Sequence, residues 1–211
     1  MIKIITVDGP AGSGKEKISK FISKKYSLYH IDSGILYRRL AFELNKLGIK
    51  TNERQKIKKF IKNISILSHR KHTVLRKEEI GFEASEIAKY DFIRNFINYQ
   101  QRLLTKILKN KEGFVIDGRD IGSVVFKNAW LKLYIDVDVN IRAKRRYKQL
   151  IDKGEKSIYQ KILKDIKLRD KKDKSRKISP LVVPKGAKII NNSFTFRDTT
   201  SQIRKIIEST Y

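Results

Sequence analysis

The stretch that decides how this chain folds is IKIITVDGPAGSGKEK, residues Ile2 to Lys17. An apolar, β-branched run ends at Asp8, three glycines follow, and Lys15 opens a segment with helical periodicity. A strand that runs through a glycine-rich loop into a helix is typical of a phosphate-binding P-loop. In such a loop, backbone N–H groups and the positive end of the helix dipole surround phosphate oxygens. The stretch therefore predicts a site for a phosphorylated ligand.

One feature of this loop departs from the usual pattern. The motif G-x-x-x-x-G-K-[ST] is followed from Gly9 through Lys15, but Glu16 and Lys17 come next, where a hydroxyl is expected. An acidic residue in a first helical turn suits the helix dipole, which is consistent with Glu16 pointing outward. A plain glycine-rich turn is the alternative, and the strand and helix patterns on either side disfavour it.

The composition indicates a globular protein with a proper core. The chain has 211 residues, of which 40% are hydrophobic and 34% charged, enough for one α/β domain with insertions. It has no cysteine, which excludes disulfides, and its three histidines do not form a metal-ligand pattern. No apolar run approaches the roughly 20 residues of a membrane span, and the chain starts directly with a strand pattern. We therefore expect a leaderless, cytoplasmic protein with no membrane partner.

The charge is strongly basic. The formal net charge is +27, which favours anionic partners, although an AT-rich coding sequence that enriches lysine is a sufficient cause for most of it. The stretch Arg142–Lys177 holds sixteen Lys and Arg against five Asp and Glu. It is either a solvated helix pair or a mobile basic lid over a polyphosphate, and charge alone leaves both open.

Short β-type runs alternate with longer helical patterns, which predicts a parallel sheet built from βαβ units. The predicted strands are Ile2–Val7, Leu28–Ile31, Phe114–Ile116, Leu131–Ile135 and Ala187–Ile190. The predicted helices are Lys15–Lys25, Gly34–Leu47, Ala84–Leu108, Val139–Asp152, Ile158–Lys171 and Thr200–Ser209. Between the second and third helices, the runs Ile64–Leu67 and Thr73–Leu75 predict an inserted lobe with a hairpin.

Two polar clusters lie in the first half of the chain. In HIDSGILYR, Ser33 is expected to be the N-cap of a helix, and Arg38 lies about one turn into it, able to aim its guanidinium at an anion. In EASEIAKYDFIR, Ser85 and Arg94 are expected in one helical region. Each cluster alone is weak, because arginine-rich helix faces are common in a chain this basic.

Two further clusters are more specific. FVIDGRDIGSVVF runs from an apolar strand into Asp117, Arg119 and Asp120, and an acid at the end of a strand beside a P-loop is where Mg²⁺ is organised in P-loop enzymes. Arg119 offers a bidentate fork for phosphate. In RDKKDKSR, the spacing of Arg169, Asp173 and Arg176 predicts one helix face.

Taken together and in this order, the motifs resemble those of bacterial cytidylate kinases, the (d)CMP kinase branch of the nucleoside monophosphate kinases. The matching elements are DGPAGSGK, IDSGILYR, ASEIA, DGRDIGSVVF and RDKKDKSRKISPL, which extend from Asp8 to Leu181. The resemblance implies a P-loop three-layer α/β/α fold with a five-stranded parallel sheet. It implies a single kinase domain over residues 1–211, with a core at about 1–38, 99–142 and 177–211, a CMP-binding insertion at about 39–98 and a lid at about 143–176.

The same resemblance implies the reaction ATP + (d)CMP giving ADP + (d)CDP, a step of pyrimidine nucleotide metabolism, in a monomer with no need of nucleic acid. The implied catalytic residues are Lys15, Asp117, Arg119 and Arg176. The implied ATP-binding residues are Gly9, Pro10, Ala11, Gly12, Ser13, Gly14, Lys15, Glu16 and Lys17. The implied CMP-binding residues are Ser33, Arg38, Ser85, Arg94, Asp117, Arg119, Asp120, Arg169, Asp173 and Arg176. We expect Mg²⁺ as the cofactor, held mainly through waters and Asp117.

Three other interpretations compete with this one. The same chemistry on UMP or a nucleoside is the nearest, and ASEIA and DGRDIGS favour cytosine over it. A basic nucleic-acid-binding protein that keeps a P-loop needs a recognisable module or interleaved aromatics, and the sequence shows neither. A degenerate, inactive kinase is supported only by Glu16 and Lys17.

Overall fold

The computed structural model describes residues 2–69, 72–108 and 112–210. Five strands form one sheet in the order β2-β3-β1-β4-β5, and the β1–β3, β1–β4 and β4–β5 pairs are parallel. The strands are β1 (Ile4–Asp8), β2 (Tyr29–Asp32), β3 (Phe114–Gly118), β4 (Leu131–Asp136) and β5 (Lys188–Asn191). The predicted five-stranded parallel sheet is confirmed, with each strand shifted by one or two residues toward its carboxyl end or extended there.

The helices follow the strands along the chain. Within the described residues they are α1 (Lys15–Lys25), α2 (Ser33–Lys46), α3 (Arg54–Lys62), α4 (Glu78–Ile87), α5 (Asp91–Ile107), α6 (Val139–Ile151), α7 (Tyr159–Lys174) and α8 (Phe196–Glu208). A 3₁₀ turn covers Thr73–Arg76, and a π-helical turn covers Ile121–Val125.

Packing divides the chain into two compact units, Met1–His30 with Glu112–Tyr211, and Ile31–Lys111. In the first unit, Ile18 and Ile22 of α1 and Ile203 and Ile207 of α8 are buried in the same apolar cluster as Val7 of β1. The apolar residues that give α1 its helical periodicity, Ile18, Phe21 and Ile22, form the face that packs there. Burying one such side chain contributes about 1.5–3 kcal/mol, so these contacts fix both helices on the sheet.

In the second unit the predicted single helix over 84–108 is wrong. Helix α4 ends at Ile87 and α5 begins at Asp91, because Tyr90 between them has an extended backbone. The buried Tyr90 ring stacks on Phe92 at 5.5 Å, and the Arg54 guanidinium lies 4.6 Å from its centroid. Asp91 then starts the new helix, where an acid suits the dipole.

The predicted hairpin in this unit is also wrong. Residues 64–69 contain no strand, and the second run forms the 3₁₀ turn, while 70–71 lie outside the described residues. The side chain of Gln100 on α5 meets the hydrogen-bonding needs of this backbone instead. Its Oε1 accepts from the Leu67 N–H at 2.8 Å, and its Nε2 donates to the Ser65 carbonyl at 3.3 Å.

Among the residues described, none of the helices is both long enough and apolar enough to cross a membrane. The predicted limits of the kinase core, the CMP-binding insertion and the lid stay predictions, since they concern ligand binding rather than packing.

Candidate active site

The glycine-rich loop between β1 and α1 is held from outside by two polar side chains. Gly14 has φ +82°, and a Cβ there would lie 2.6 Å from Asn192 Nδ2. That same amide donates to the Ser13 carbonyl at 2.7 Å, and Thr199 of α8 donates to Asn192 Oδ1 at 2.8 Å. Only glycine fits at position 14, because the left-handed backbone and the close amide both exclude a side chain.

Lys15 is a half-buried residue at the start of α1. Its Nζ donates to the Pro10 carbonyl at 3.0 Å, which closes the loop on itself. Burial lowers the pKa of Lys15 to about 7, and the nearby charge of Arg119 acts in the same direction, while Asp117 opposes them. An anion that enters the loop therefore favours the charged ammonium form of Lys15.

The two residues that depart from the P-loop pattern are engaged along the outside of the first unit. Glu16 pairs with Lys20 one turn further along α1 at 2.9 Å, and Lys20 is largely exposed. The Lys17 ammonium lies 4.0 Å from the centroid of the Phe196 ring. The structure thus agrees with the expectation that Glu16 points outward, in keeping with its favourable place at the helix N-terminus.

Asp8, the last residue of β1, binds the loop that follows β3. Its two carboxylate oxygens accept from the backbone N–H groups of Ile121 and Gly122, each at 2.8 Å. Burial raises the pKa of Asp8 to about 6 in spite of these two bonds. Gly122 is required at this point, because a Cβ would lie 2.6 Å from Thr6 Oγ1. The clamp fixes the segment directly after Arg119 and Asp120.

Asp117 lies within β3, one residue before its end, and is paired with a histidine. Its Oδ2 lies 2.7 Å from His30 Nε2 of β2, and less than a tenth of either side chain is exposed. Asp117 also raises the pKa of Lys15, so its charge acts on the same site.

Two arginines hold one buried carboxylate. Arg119 Nε donates to Asp173 Oδ2 at 2.9 Å, and Arg176 donates to Asp173 Oδ1. Burial alone raises the pKa of Asp173, but the charges of Arg119 and Arg176 outweigh it and hold the pKa below its usual range. Arg169 adds a further positive charge that acts on both Asp173 and Lys15.

The predicted single helix face for Arg169, Asp173 and Arg176 is correct for only two of them. Helix α7 ends at Lys174, so Arg176 lies beyond it, in the segment that leads to Leu181. The Leu181 N–H donates to the Asp173 carbonyl at 2.8 Å, which turns the chain back at this point.

Arg142 connects α6, α7 and the P-loop. Its guanidinium donates to both oxygens of Asp170 on α7, at 3.1 and 2.6 Å, and to the Ala11 carbonyl at 3.0 Å. A further bond from Nε reaches the Val137 carbonyl at 3.1 Å. The basic stretch is therefore anchored to the phosphate-binding loop by the hydrogen bond from Arg142 to the Ala11 carbonyl, and the ion pair with Asp170 holds that guanidinium in place.

Four of the predicted CMP-binding residues belong to the second unit. Arg38 donates to the carbonyls of Leu75 and Lys77, at 2.7 and 3.0 Å, and Arg94 is buried, with its guanidinium 6.0 Å from the Tyr37 ring. Ser85 lies half-buried on α4. Ser33 is buried but is not the N-cap that the sequence predicted.

The N-cap of α2 is Asp32. Its Oδ1 accepts from the Ile35 N–H at 3.3 Å, so Ser33 becomes the first residue of the helix. Asp and Ser rank almost equally as caps, and the sequence pattern could not separate two neighbours of this kind.

A family model described as "Cytidylate kinase" matches residues 5–209 of this chain. The chain belongs to the cytidylate kinase family. The family predicted from the sequence is confirmed, and with it the expected class of enzyme, an ATP-dependent nucleoside monophosphate kinase.

Individual comparisons agree with this assignment. The cytidylate kinase of Thermosipho africanus is 36% identical over 211 residues, covering 96% of this chain and 93% of that protein. The cytidylate kinase of Rickettsia akari is 41% identical over 189 residues, covering 90% and 84%. A shikimate kinase structure from Bacteroides thetaiotaomicron has a TM-score of 0.53 at 12% identity, with 99% of each chain covered, and shows the fold alone.

Sequence reasoning missed five residues that hold the P-loop or the segments of the predicted site residues in place: Asp8, His30, Arg142, Asn192 and Thr199. Asp8 carried a usable signal, since like Asp117 it is a lone acid at the end of an apolar run. The pairs Arg142–Asp170 and Asn192–Ser13 join residues far apart in the chain, and no local spacing reveals such contacts.

Proposed function

We propose that this protein transfers the γ-phosphoryl group of ATP to CMP or dCMP, giving ADP and CDP or dCDP. The observation that carries the proposal is the cluster in which Arg119 and Arg176 hold Asp173, close enough to the P-loop for Arg119 and Asp173 to act on the pKa of Lys15. The names of the cytidylate kinase relatives support the acceptor.

Phosphoryl transfer between these substrates requires well-positioned reactants and nearby positive charge, but no general base. The attacking oxygen belongs to a phosphate that is already ionised at neutral pH, so no proton has to be removed from it. Charge that builds on the transferring group is stabilised by fixed cations in a site from which water is excluded. In our proposal Lys15 acts on the ATP phosphates, while Arg38, Arg119 and Arg176 act on the CMP phosphate and the transferring group.

The loop from Gly9 to Lys17 is the proposed site of the ATP phosphates, with backbone N–H groups as the donors. Ser33, Arg38, Ser85, Arg94, Asp117, Arg119, Asp120, Arg169, Asp173 and Arg176 are the proposed CMP-binding residues. Ser85, Arg94 and Asp120 would read the cytosine base, and buried donors and acceptors left unpaired by another base would reject it. Arg169 and Asp173 would meet the ribose.

Mg²⁺ is the proposed cofactor, and the residues present fit a weakly held ion. No cluster of three or more acidic or histidine side chains occurs among the described residues, so the protein offers no complete cage. Mg²⁺ commonly keeps several waters and binds through one or two carboxylates together with substrate phosphates. Asp117 is the proposed carboxylate, and the bound ion would neutralise charge on the phosphates. A monomer in the cytoplasm completes the proposal.

The test compares wild type with Arg119→Ala and with Arg204→Ala, which removes an exposed arginine on α8 outside the site. With Mg·ATP and CMP, we expect Arg119→Ala to lose at least 100-fold in kcat/KM for CMP, because a charge-assisted contact to the reacting phosphates is gone. Arg204→Ala should match wild type. Equal activity of Arg119→Ala and wild type would contradict the proposed site.

A further inference from the structure

His30 is a buried titratable residue to which neither the motifs nor the proposed reaction gives a role. It belongs to β2, the strand beside β3, and its Nε2 lies 2.7 Å from Oδ2 of Asp117. About 9% of the His30 side chain and 5% of the Asp117 side chain are exposed, so water competes little for this bond.

The bond constrains the carboxylate in a particular way. It engages Oδ2 and leaves Oδ1 for a second partner. A carboxylate held by one oxygen cannot rotate freely about its last torsion, so the direction of the second oxygen is set by the imidazole. In many sites such outer contacts fix the orientation of groups that act on an ion or a substrate, and their loss costs 10- to 100-fold.

The carboxylate that His30 holds lies close enough to Lys15 to influence it. The charge of Asp117 acts on Lys15, and Lys15 also responds to Arg119 and Asp173. His30 therefore lies one contact away from the group of charges to which we assign phosphoryl transfer. A residue that merely filled space between two strands would need no ring nitrogen at this position.

We propose that His30 is a positioning residue for the kinase reaction, whose imidazole fixes the orientation of the Asp117 carboxylate toward the CMP phosphate and the ion that accompanies ATP. The proposal rests on the proposed role of Asp117. It concerns a direct hydrogen bond in which a proton on His30 Nε2 is donated to the Asp117 carboxylate.

The test is a double-mutant cycle with His30→Phe, Asp117→Asn and the combined variant. Phenylalanine keeps the ring volume and removes the hydrogen bond. We expect His30→Phe to lower kcat/KM for CMP by 10- to 100-fold, and to have an effect of less than threefold once Asp117 is already asparagine, because interacting residues are not additive. The KM for ATP should change less than threefold.

Two more variants separate positioning from a structural role. His30→Gln retains a donor nitrogen and should recover most of the loss, whereas His72→Phe, which replaces an exposed histidine, should match wild type. The cycle is repeated on the dissociation constant for CMP, measured by calorimetry without ATP or Mg²⁺. The dissociation constant does not depend on turnover, so it can be measured even if Asp117→Asn is nearly inactive.

The outcomes are distinct. A loss in His30→Phe that persists undiminished beside Asp117→Asn, or no loss at all, would overturn the proposal for His30 while leaving the kinase intact. If His30→Phe does not fold, His30→Gln with wild-type stability but the same loss in kcat/KM as Asp117→Asn would overturn it. Absence of CMP phosphorylation by wild type would instead overturn the proposed function.

Discussion

Lys15 shows how burial of a single residue prepares it for a ligand. The desolvation of its ammonium and the nearby charge of Arg119 both disfavour the charged form, so its pKa falls to about 7. The neutral form is thus abundant just above neutral pH in the free protein. Negative phosphates placed beside it would favour the charged form again.

Binding of ATP should therefore be coupled to protonation of Lys15. At pH 8 the free protein holds Lys15 mainly neutral, and bound ATP, whose phosphates are ionised at that pH, should raise its pKa well above 8. We expect binding of ATP at pH 8 to take up a substantial fraction of one proton. Calorimetry in two buffers with different ionisation enthalpies measures it. Lys15→Arg, which stays charged, should take up none, and an equally small uptake by wild type would refute the account.

The shifted pKa of Asp8 predicts how the free energy of unfolding depends on pH. Its pKa in the folded protein, about 6, is higher than the usual 3.8, so the folded state binds more protons than the unfolded state between these values. Its contribution to the free energy of unfolding is therefore fully present below about pH 4 and is lost as the pH rises through about 6.

The measurement for Asp8 is urea unfolding of wild type and Asp8→Asn from pH 4.5 to 7.5. The stability of wild type relative to the variant should fall by about 2 kcal/mol across this range, which is the part of the roughly 3 kcal/mol effect of two pKa units that lies above pH 4.5. A relative stability that rises with pH would contradict the assignment. Thr6→Val, next to the clamp but without a titratable group, should show no such trend.

At the scale of elements, α6 and α7 are tied together by the ion pair of Arg142 and Asp170, and the same guanidinium binds the P-loop carbonyl of Ala11. Breaking a buried pair by removing one partner leaves an uncompensated charge, which typically costs about 3–5 kcal/mol. The pair therefore couples the order of two helices to the shape of the phosphate-binding loop.

We expect Asp170→Asn to lower the melting temperature by roughly 6–20 °C, since a loss of about 3–5 kcal/mol at 2–4 °C per kcal/mol gives that range in a chain of this size. Lys144→Ala removes a cation on the exposed face of α6 and should change the melting temperature by less than 2 °C. Thermal unfolding followed by circular dichroism measures both. Equal melting temperatures for the two variants would show that the pair does not stabilise α6 and α7.

Elements with a clear amphipathic period were predictable. Helix α1 has the predicted bounds, and α6 ends within one residue of them, because apolar spacing and flanking turn residues determine both. The helix break at Tyr90 and the irregular segment near Leu67 could not be predicted from the sequence. Both depend on contacts with distant side chains, Arg54 at the first and Gln100 at the second, that no local pattern contains.

At the scale of the whole molecule, the order of motifs along the chain was enough to predict the family and the parallel sheet, which the comparisons and the topology confirm. The P-loop position of Lys15 and the strand-end position of Asp117 followed from the sequence, because both depend on a local strand and turn. The partners His30, Asn192 and Arg142 did not, since only the fold brings them to the site.

The net charge of +27 is a property of the whole chain and does not by itself assign a function. Part of the positive charge is used internally: Arg119, Arg142 and Arg176 all pair with buried or half-buried carboxylates. The lysines, in contrast, are mostly exposed, in agreement with a compositional origin for much of the excess positive charge.

The central claim is that the protein phosphorylates a cytidine monophosphate. The most direct measurement is ³¹P NMR of wild type with Mg·ATP and, in parallel, CMP, dCMP, UMP or AMP, because it detects the new diphosphate itself rather than ADP alone. The account predicts that CDP and dCDP form with stoichiometric loss of ATP, at rates at least 100-fold above those with UMP and AMP. Formation of no diphosphate from CMP or dCMP, or faster formation from UMP or AMP, would contradict it.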